Sequence, residues 1–163
     1  MRDSARFDAF YAATSQRLVR DIYLATGDLG RAQDCAAEAY VKAWQRWESL
    51  DGDRDPVAWV HTVAWRFAVS DWRRTVRQLR LLVRHGPPPD VPPPSDDVVA
   101  VRDALARLPE AQRVAIVLHH LEDRSVAEIA ELTGVPAGTV KARLSRGRAA
   151  LSLLLDDSEE SLP

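Results

Sequence analysis

The stretch Ser125–Leu151, SVAEIAELTGVPAGTVKARLSRGRAAL, decides the fold of the second half of this 163-residue chain. Ser125 and Glu128 have the spacing of a capping box, in which each side chain accepts a hydrogen bond from an amide of the first helical turn. Gly134 tolerates the left-handed conformation that ends a helix. A second helix is predicted from about Ala137. Two short helices joined by a glycine turn indicate a helix-turn-helix, whose second helix enters the major groove of DNA.

The second helix of this pair has three kinds of surface when its residues are spaced by about 100°. Its inward row is formed by Val140, Leu144, Gly147 and Leu151. The opposite strip contains only the small residues Gly138, Ala142, Ser145 and Ala149. A strip of small side chains lets a groove floor approach, and cations beside it can reach bases or phosphates. The alternative is a solvated basic helix in an ordinary bundle.

The net charge of −2 taken alone argues against nucleic-acid binding, but the charges are segregated. From Arg66 to Arg84, both included, the sequence has six arginines and the single acid Asp71. The helix after Ala137 is a second cationic block, whereas acids concentrate in a proline-rich segment and at the C-terminus. The two basic surfaces therefore indicate that a nucleic acid remains a candidate partner.

Several classes of protein are excluded by what the sequence lacks. Cys35 is the only cysteine, so no internal disulfide and no cysteine-rich zinc site is expected. His119 and His120 are adjacent and cannot jointly hold one metal from a helix. No nucleophile–base pair or phosphate loop is present, so we predict a protein that is not an enzyme and has no cofactor or metal. Without a signal peptide or an apolar run of about 20 residues, a cytoplasmic location is expected.

Helical periodicity and caps organise the first half. Asp3 or Ser4 caps a first helix that ends at Thr26, and Asp28 opens a second helix that reaches about Trp47. A loop of turn formers is predicted for 48–55. Asp55 and Pro56 start a third helix, predicted to run to about Leu82. The polar outer face of the second helix is either simply solvated or a partner surface.

Two apolar rows follow the third helix. The first row is Val60, Val63, Ala64 and Phe67. The second is Trp65, Val69, Trp72 and Val76, with arginines along its edge. A tryptophan row at helical spacing is usually core. Aromatic side chains beside arginines also form stacking platforms for single-stranded nucleic acid, and periodicity leaves both interpretations open.

The predicted fold is all-α, with two small helical domains joined by a proline-rich linker, the C-terminal domain containing the helix-turn-helix. The N-terminal domain is assigned to 1–84. The segment HGPPPDVPPPS, 85–95, is the linker, because its prolines favour extended polyproline II. The C-terminal domain is assigned to 96–155, with helices predicted from Ser95 or Asp96 and from Pro109. The acidic tail, 156–163, is expected to fray.

Three segments resemble one family in the same order. RAQDCAAEAYVKAW, 31–44, resembles the core-binding helix of bacterial extracytoplasmic-function (ECF) sigma factors, which belong to the sigma-70 family. PVAWVHTVAWRFAVSDWRR, 56–74, resembles their minus-ten helix, with Arg66 and Ser70 where the family usually has Asn and Asp. The stretch 108–151 resembles their minus-thirty-five domain, and TVKARLSRGR is its most specific part.

The resemblance implies an alternative sigma factor. Such a protein binds core RNA polymerase, through the clamp of the largest subunit and the flap, directs it to promoters and assists DNA melting. The implied polymerase-binding residues are Asp34, Glu38, Lys42 and Gln45. The implied minus-ten residues are Arg54, Trp65, Arg66, Trp72, Arg73, Arg74 and Arg77. The implied minus-thirty-five residues are Ser125, Thr139, Lys141, Arg143, Ser145, Arg146 and Arg148. An anti-sigma factor is a further candidate partner.

Two other functions compete with this interpretation. A stand-alone helix-turn-helix repressor or activator would need a dimerisation surface, and it would leave the cationic tryptophan-bearing helix without a role. A transposase or recombinase would need an acidic metal site on a sheet, and no strand is predicted. The sigma-factor interpretation accounts for all three segments.

Overall fold

The computed structural model describes residues 3–53, 55–78 and 96–160 of the chain. These residues form helices and connecting turns, with no strand among them. The helices are α1 (Ser4–Thr26), α2 (Leu29–Gln45), α3 (Trp47–Asp53), α4 (Pro56–Gln78), α5 (Asp96–Ala106), α6 (Glu110–His120), α7 (Val126–Thr133) and α8 (Ala137–Glu160). The all-α fold class is therefore confirmed. None of the described helices combines the length and the apolar character that crossing a bilayer requires.

The chain divides into two compact units. The first contains α1 to α4, except that the segment Leu24–Gly27, at the end of α1, is grouped with the second unit, which contains α5 to α8. The predicted linker, 85–95, lies outside the described residues, as does the predicted end of the third helix near Leu82. The predicted domain boundaries stay predictions.

In the N-terminal unit, α2 packs along α4 through a face made mostly of small side chains. Ala32, Ala36 and Ala39 are buried on this face, and small residues let two helices approach closely. The guanidinium of Arg31 also donates to the backbone carbonyl of Ala68 in α4. These contacts make α2 and α4 one packed pair.

Helix α1 contacts α2 and the start of α3 through aromatic rings. The ring centroid of Phe7 lies 5.0 Å from that of Trp44 and 5.1 Å from that of Trp47. Tyr11 stacks edge-on against Tyr40 at 4.8 Å. Such tilted and edge-to-face pairs suit the charge distribution of aromatic rings. The aromatic side chains therefore join α1 to the α2–α4 pair.

The predicted caps are present where local chemistry sets them. Asp28 accepts a hydrogen bond from the amide of Arg31 at 2.9 Å, and Asp55 accepts from the amide of Val57 at 3.0 Å. The predicted loop at 48–55 is wrong over most of its length, because α3 occupies Trp47–Asp53 and α2 ends at Gln45. Trp47 and Leu50 are both buried and lie three residues apart. One helical turn puts both side chains into the core, which overrides the turn-forming composition.

In the C-terminal unit, α6 is the central helix and contacts α5, α7 and α8. Five consecutive residues of α6, Val114 to Leu118, are buried. The expectation of a frayed acidic tail is wrong as far as Glu160, because α8 continues to that residue. The sequence has neither glycine nor proline between Gly147 and Pro163, so nothing in the local chemistry stops the helix earlier.

Candidate nucleic-acid and polymerase interfaces

The helix-turn-helix is built by its caps. The amide of Glu128 donates to Ser125 Oγ at 3.1 Å, and the amide of Ser125 donates to Glu128 Oε2 at 2.7 Å. These hydrogen bonds, that of the Ser125 backbone first, lower the pKa of the Glu128 carboxyl. Gly134 ends α7 with φ +67°. The predicted capping box and glycine turn are both confirmed.

Helix α8 presents the two faces that its spacing predicts. Val140, Leu144 and Gly147 are buried, whereas Gly138, Ser145 and Ala149 are exposed. Ala142 of the predicted strip and Leu151 of the predicted inward row are both half-buried. An ideal Cβ on Gly138 would meet nothing within 4 Å, so this end of the strip opens directly to solvent. The small-residue strip is therefore an accessible surface that a groove floor could approach.

Polar side chains border the strip on both sides. At 100° per residue, Lys141 and Arg148 lie on one flank, and Thr139, Arg143 and Arg146 lie on the other. Lys141, Arg146 and Arg148 are exposed, whereas Thr139 and Arg143 are half-buried. The exposed Ser125 lies at the start of α7 and uses its hydroxyl oxygen in the cap. The predicted minus-thirty-five residues thus fall on one helix and the cap of its neighbour.

Arg148 has a partner that the sequence did not reveal. Its Nε donates to His120 Nε2 at the end of α6 over 3.2 Å. Burial first, and then the charges of Arg148 and His119, lower the pKa of the His120 imidazole. The residues are 28 positions apart, so no local pattern could have linked them.

Gly147 permits the close approach of α6 to α8. A Cβ at this position would lie 2.8 Å from Ile116 Cγ1 and 3.2 Å from its Cδ1. Real Cβ atoms do not come so close, so any side chain here would force Ile116 or the two helices to shift. The sequence indicated an inward-facing glycine but not the isoleucine that it accommodates.

The outer face of α2 carries the predicted polymerase-binding residues. Asp34, Glu38, Lys42 and Gln45 are all exposed and lie along one side of the helix. The ammonium of Lys42 also lies 5.8 Å from the ring centroid of Phe67 in α4, within the range of a cation–π contact. The structure thus gathers these four residues on one accessible surface.

Val41 belongs to the same surface, although the sequence analysis did not include it among the polymerase-binding residues. It follows Asp34 by seven residues and is 53% exposed, although it is apolar. The signal was available, because positions i, i+4, i+7 and i+11 of a helix share one face. An exposed valine among charged residues is a candidate anchor for a partner.

The minus-ten assignment needs one correction. Trp65 is 0% exposed, so it belongs to the core and cannot stack on a base. It lies beside Ala64, Ala68 and Val69, which are buried as well, because α4 is covered on two sides in its middle. Arg66, between these rows, is exposed. Arg54 lies outside the described residues, and the structure gives only the helical backbone at Trp72, Arg73, Arg74 and Arg77.

A groove of about 620 Å³ runs among α5, α6 and α8 in the C-terminal unit. Its floor is apolar and includes Leu105, Val117 and Leu151. The polar residues of its lining are Asp103, Arg107, His120 and Arg148. Arg148 therefore lies at the border between this groove and the strip of α8.

Comparison with known proteins matches both units to one family. Residues 10–78 match the model of sigma-70 region 2, and residues 99–151 match that of sigma-70, region 4. The ECF RNA polymerase sigma factor SigL of Mycobacterium tuberculosis is 33% identical over 163 residues, covering 95% of this chain and 92% of SigL. SigW of Bacillus subtilis is 29% identical, with 83% and 81% covered.

A solved structure of similar fold is the sigma factor RpoE in complex with the anti-sigma factor NepR from Bartonella quintana. The TM-score is 0.66 at 24% identity, and the match covers 93% of this chain and 97% of RpoE. The resemblance inferred from the three sequence segments is confirmed, as is the function of an alternative sigma factor that directs RNA polymerase. A stand-alone repressor is not favoured. The chain belongs to the ECF RNA polymerase sigma factors.

Proposed function

We propose that the outer face of α2 binds the clamp of the largest polymerase subunit. The observation that carries this proposal is the exposure of Asp34, Glu38, Lys42 and Gln45 along a helix whose opposite face packs against α4 and α1. A helix that is buried on one side and charged on the other can bind a partner without disturbing the fold. Val41 would supply the apolar contact at the centre of this interface.

The second part of the proposal is duplex recognition by α8. Gly138, Ser145 and Ala149 would face the floor of the major groove, with Arg146 reaching base edges. Lys141 and Arg148, on the opposite flank, would contact phosphates and set the orientation. This part of the proposal is supported by the exposed strip of small residues on α8 and by the cations on both of its sides.

The third part concerns the minus-ten element. With Trp65 in the core, the exposed Arg66 would contact an unpaired strand. Trp72, Arg73, Arg74 and Arg77 follow it on the same helix and extend the cationic character toward Gln78. Promoter opening would therefore use this end of α4.

The groove among α5, α6 and α8 is proposed as the docking site of the polymerase flap. An apolar floor with cationic residues at its edge suits an amphipathic segment that carries acidic side chains. Val101, at the groove, is 47% exposed and would be covered by such a segment.

An anti-sigma factor is proposed as a further partner, by analogy with the RpoE–NepR complex. Acting with polymerase, the protein would work in the cytoplasm.

Charge reversal on α2 tests the polymerase interface. We expect Asp34→Arg combined with Glu38→Arg to abolish co-elution with core polymerase, because like charges across an interface cost several kcal/mol. Asp8→Arg, at an exposed acid of α1, is the matched control and should leave binding unchanged. Binding is measured by size-exclusion chromatography with purified core enzyme, and circular dichroism verifies the fold. Undiminished co-elution of the double variant would exclude this face.

The apolar anchor can be tested separately. Val41→Ser should weaken core binding by about tenfold, because a truncated interface anchor costs more than about 1 kcal/mol. Val57→Ser changes another exposed valine, on α4, and should leave the affinity as it is. Equal effects of both substitutions would show that Val41 has no special place in the interface.

A further inference from the structure

His120 and Arg148 form a contact that the assignments above leave unexplained. His120 is the last residue of α6, and Arg148 lies in α8 on the flank of the strip. The hydrogen bond from Arg148 Nε to His120 Nε2 measures 3.2 Å. One turn before His120, Ile116 touches Gly147, the residue before Arg148. The tight helix contact at Gly147 thus fixes the distance at which the imidazole and the guanidinium meet.

The chemistry of the pair requires a neutral imidazole. A guanidinium has only donors, so His120 Nε2 must be the unprotonated, accepting nitrogen, with the proton on Nδ1. Protonation would turn Nε2 into a donor, remove the hydrogen bond and put two positive charges side by side. The pair exists in one protonation state of the histidine only.

The surroundings of His120 favour that neutral state. The His119 ring is packed edge-on at 4.9 Å, and its Nδ1 lies 2.9 Å from the backbone carbonyl oxygen of Arg124. From α5, Asp103 and Arg107 line the same groove as His120. The side chain of His120 is exposed, but partial burial, and then the charges of Arg148 and His119, lower its pKa and so favour the neutral imidazole.

We propose that His120 is a positioning residue for the contact between Arg148 and DNA, acting as a neutral acceptor that holds the guanidinium beside the strip of α8. Because Arg148 donates to His120 through Nε, its two Nη groups remain available to donate to a phosphate. An arginine that is already ordered loses less rotamer freedom when it binds. This inference rests on the proposed contact of α8 with duplex DNA. It adds a residue outside the recognition helix and a dependence on pH.

The pairing itself is tested on the full chain without DNA. Histidine resonances are followed by NMR as the pH is changed, and the His120 signal is identified by its absence in His120→Gln. We expect the pKa of His120 to lie below the ordinary histidine value and to rise in Arg148→Gln, because the neighbouring cation and donor are gone. An unchanged pKa in Arg148→Gln would show that the two side chains do not interact in solution.

The role in binding is tested by fluorescence anisotropy with the full chain and a 30-base-pair duplex of fixed mixed sequence at low salt. At pH 7.5 we expect His120→Leu to weaken binding about two- to tenfold, the range expected for ordering one long side chain. His120→Gln, whose amide oxygen can accept, should restore most of this loss. Wild-type affinity should fall as the pH drops through the pKa of His120, and His120→Gln should lose most of that dependence.

A double-mutant cycle separates positioning from a structural effect. In an Arg148→Gln background, His120→Leu should have no further effect, whereas in the matched Arg146→Gln background it should keep its full effect. Effects of His120→Leu that are equal in both backgrounds would overturn the positioning role and leave duplex recognition standing. A wild-type chain that binds no duplex, alone or with polymerase, would instead overturn the proposed function on which this inference depends.

Discussion

Replacing Gly147 with alanine should destabilise the C-terminal unit, although alanine is the better helix former. The added Cβ would lie 2.8 Å from Ile116 Cγ1, against about 3.5–4.0 Å for an ordinary carbon contact. Either the side chain of Ile116 or the helices must therefore shift by several tenths of an ångström. Overpacking of this kind lowers the free energy of unfolding by about 1–3 kcal/mol, and the higher helix propensity of alanine offsets about 0.5–1 kcal/mol of that loss. We expect a net loss of about 1–2 kcal/mol.

Gly138→Ala is the matched control on the same helix. A Cβ there would meet nothing within 4 Å, so only the propensity gain of about 0.5–1 kcal/mol remains and the unit should become more stable. A third variant removes the obstacle. In an Ile116→Ala background, Gly147→Ala should change sign and become stabilising, because Cγ1 is no longer present.

Chemical denaturation followed by two probes measures these effects. All five tryptophans precede Gln78, so their fluorescence reports the N-terminal unit and should not change. Circular dichroism reports both units, and its second component should shift to lower denaturant in Gly147→Ala. Equal stabilisation by Gly147→Ala and Gly138→Ala would refute the close approach of α6 and α8.

The remaining predictions concern promoter DNA and the capping box. Arg146→Ala should reduce the discrimination between bases at one position by about 1–3 kcal/mol. Arg148→Ala should weaken binding to all DNA sequences and lower the salt slope by about one. Equal losses of affinity on all sequences, measured by fluorescence anisotropy, would contradict this. Arg66→Ala should slow promoter opening by about tenfold, yet transcribe normally from a template already mismatched across the minus-ten region. Run-off transcription that is equally weak on both templates would exclude a role in melting. Ser125→Ala should cost about 1 kcal/mol of stability. Ser125 lowers the pKa of Glu128, so the stabilisation by this cap is present above the ordinary glutamate pKa and is lost as the pH falls through the lowered pKa. The unfolding midpoint measured across an acid titration tests this pH dependence.

Features set by neighbours in the sequence were predictable. The caps at Asp28, Asp55 and Ser125 and the left-handed Gly134 depend on hydrogen bonds within three or four residues. The exposed strip of α8 follows from helical spacing alone. The resemblance to the family added the roles that are expected of the three segments. These parts of the site needed no knowledge of the tertiary structure.

Features set by distant residues were not predictable. Trp65 is buried beside the exposed Arg66, whereas periodicity left open whether the tryptophan row belongs to the core or faces DNA. Helix α3 forms because Trp47 and Leu50 reach the core, although the composition of 48–55 favours turns. The pairs Ile116–Gly147 and His120–Arg148 join α6 to α8 across about 30 residues of chain. Their existence depends on how two helices pack.

The burial of α4 on two sides decides which of its variants can report on promoter melting. Val60, Ala64 and Ala68 occupy one buried row, and Trp65 and Val69 occupy another. Truncating a buried tryptophan costs about 3–5 kcal/mol, and α2, the proposed polymerase-binding helix, packs directly against this region. A Trp65 variant would therefore lose polymerase binding and promoter opening together, through packing. Because the side chain of Arg66 is exposed, its removal leaves both rows in place, and a defect confined to strand opening can be assigned to contact with DNA.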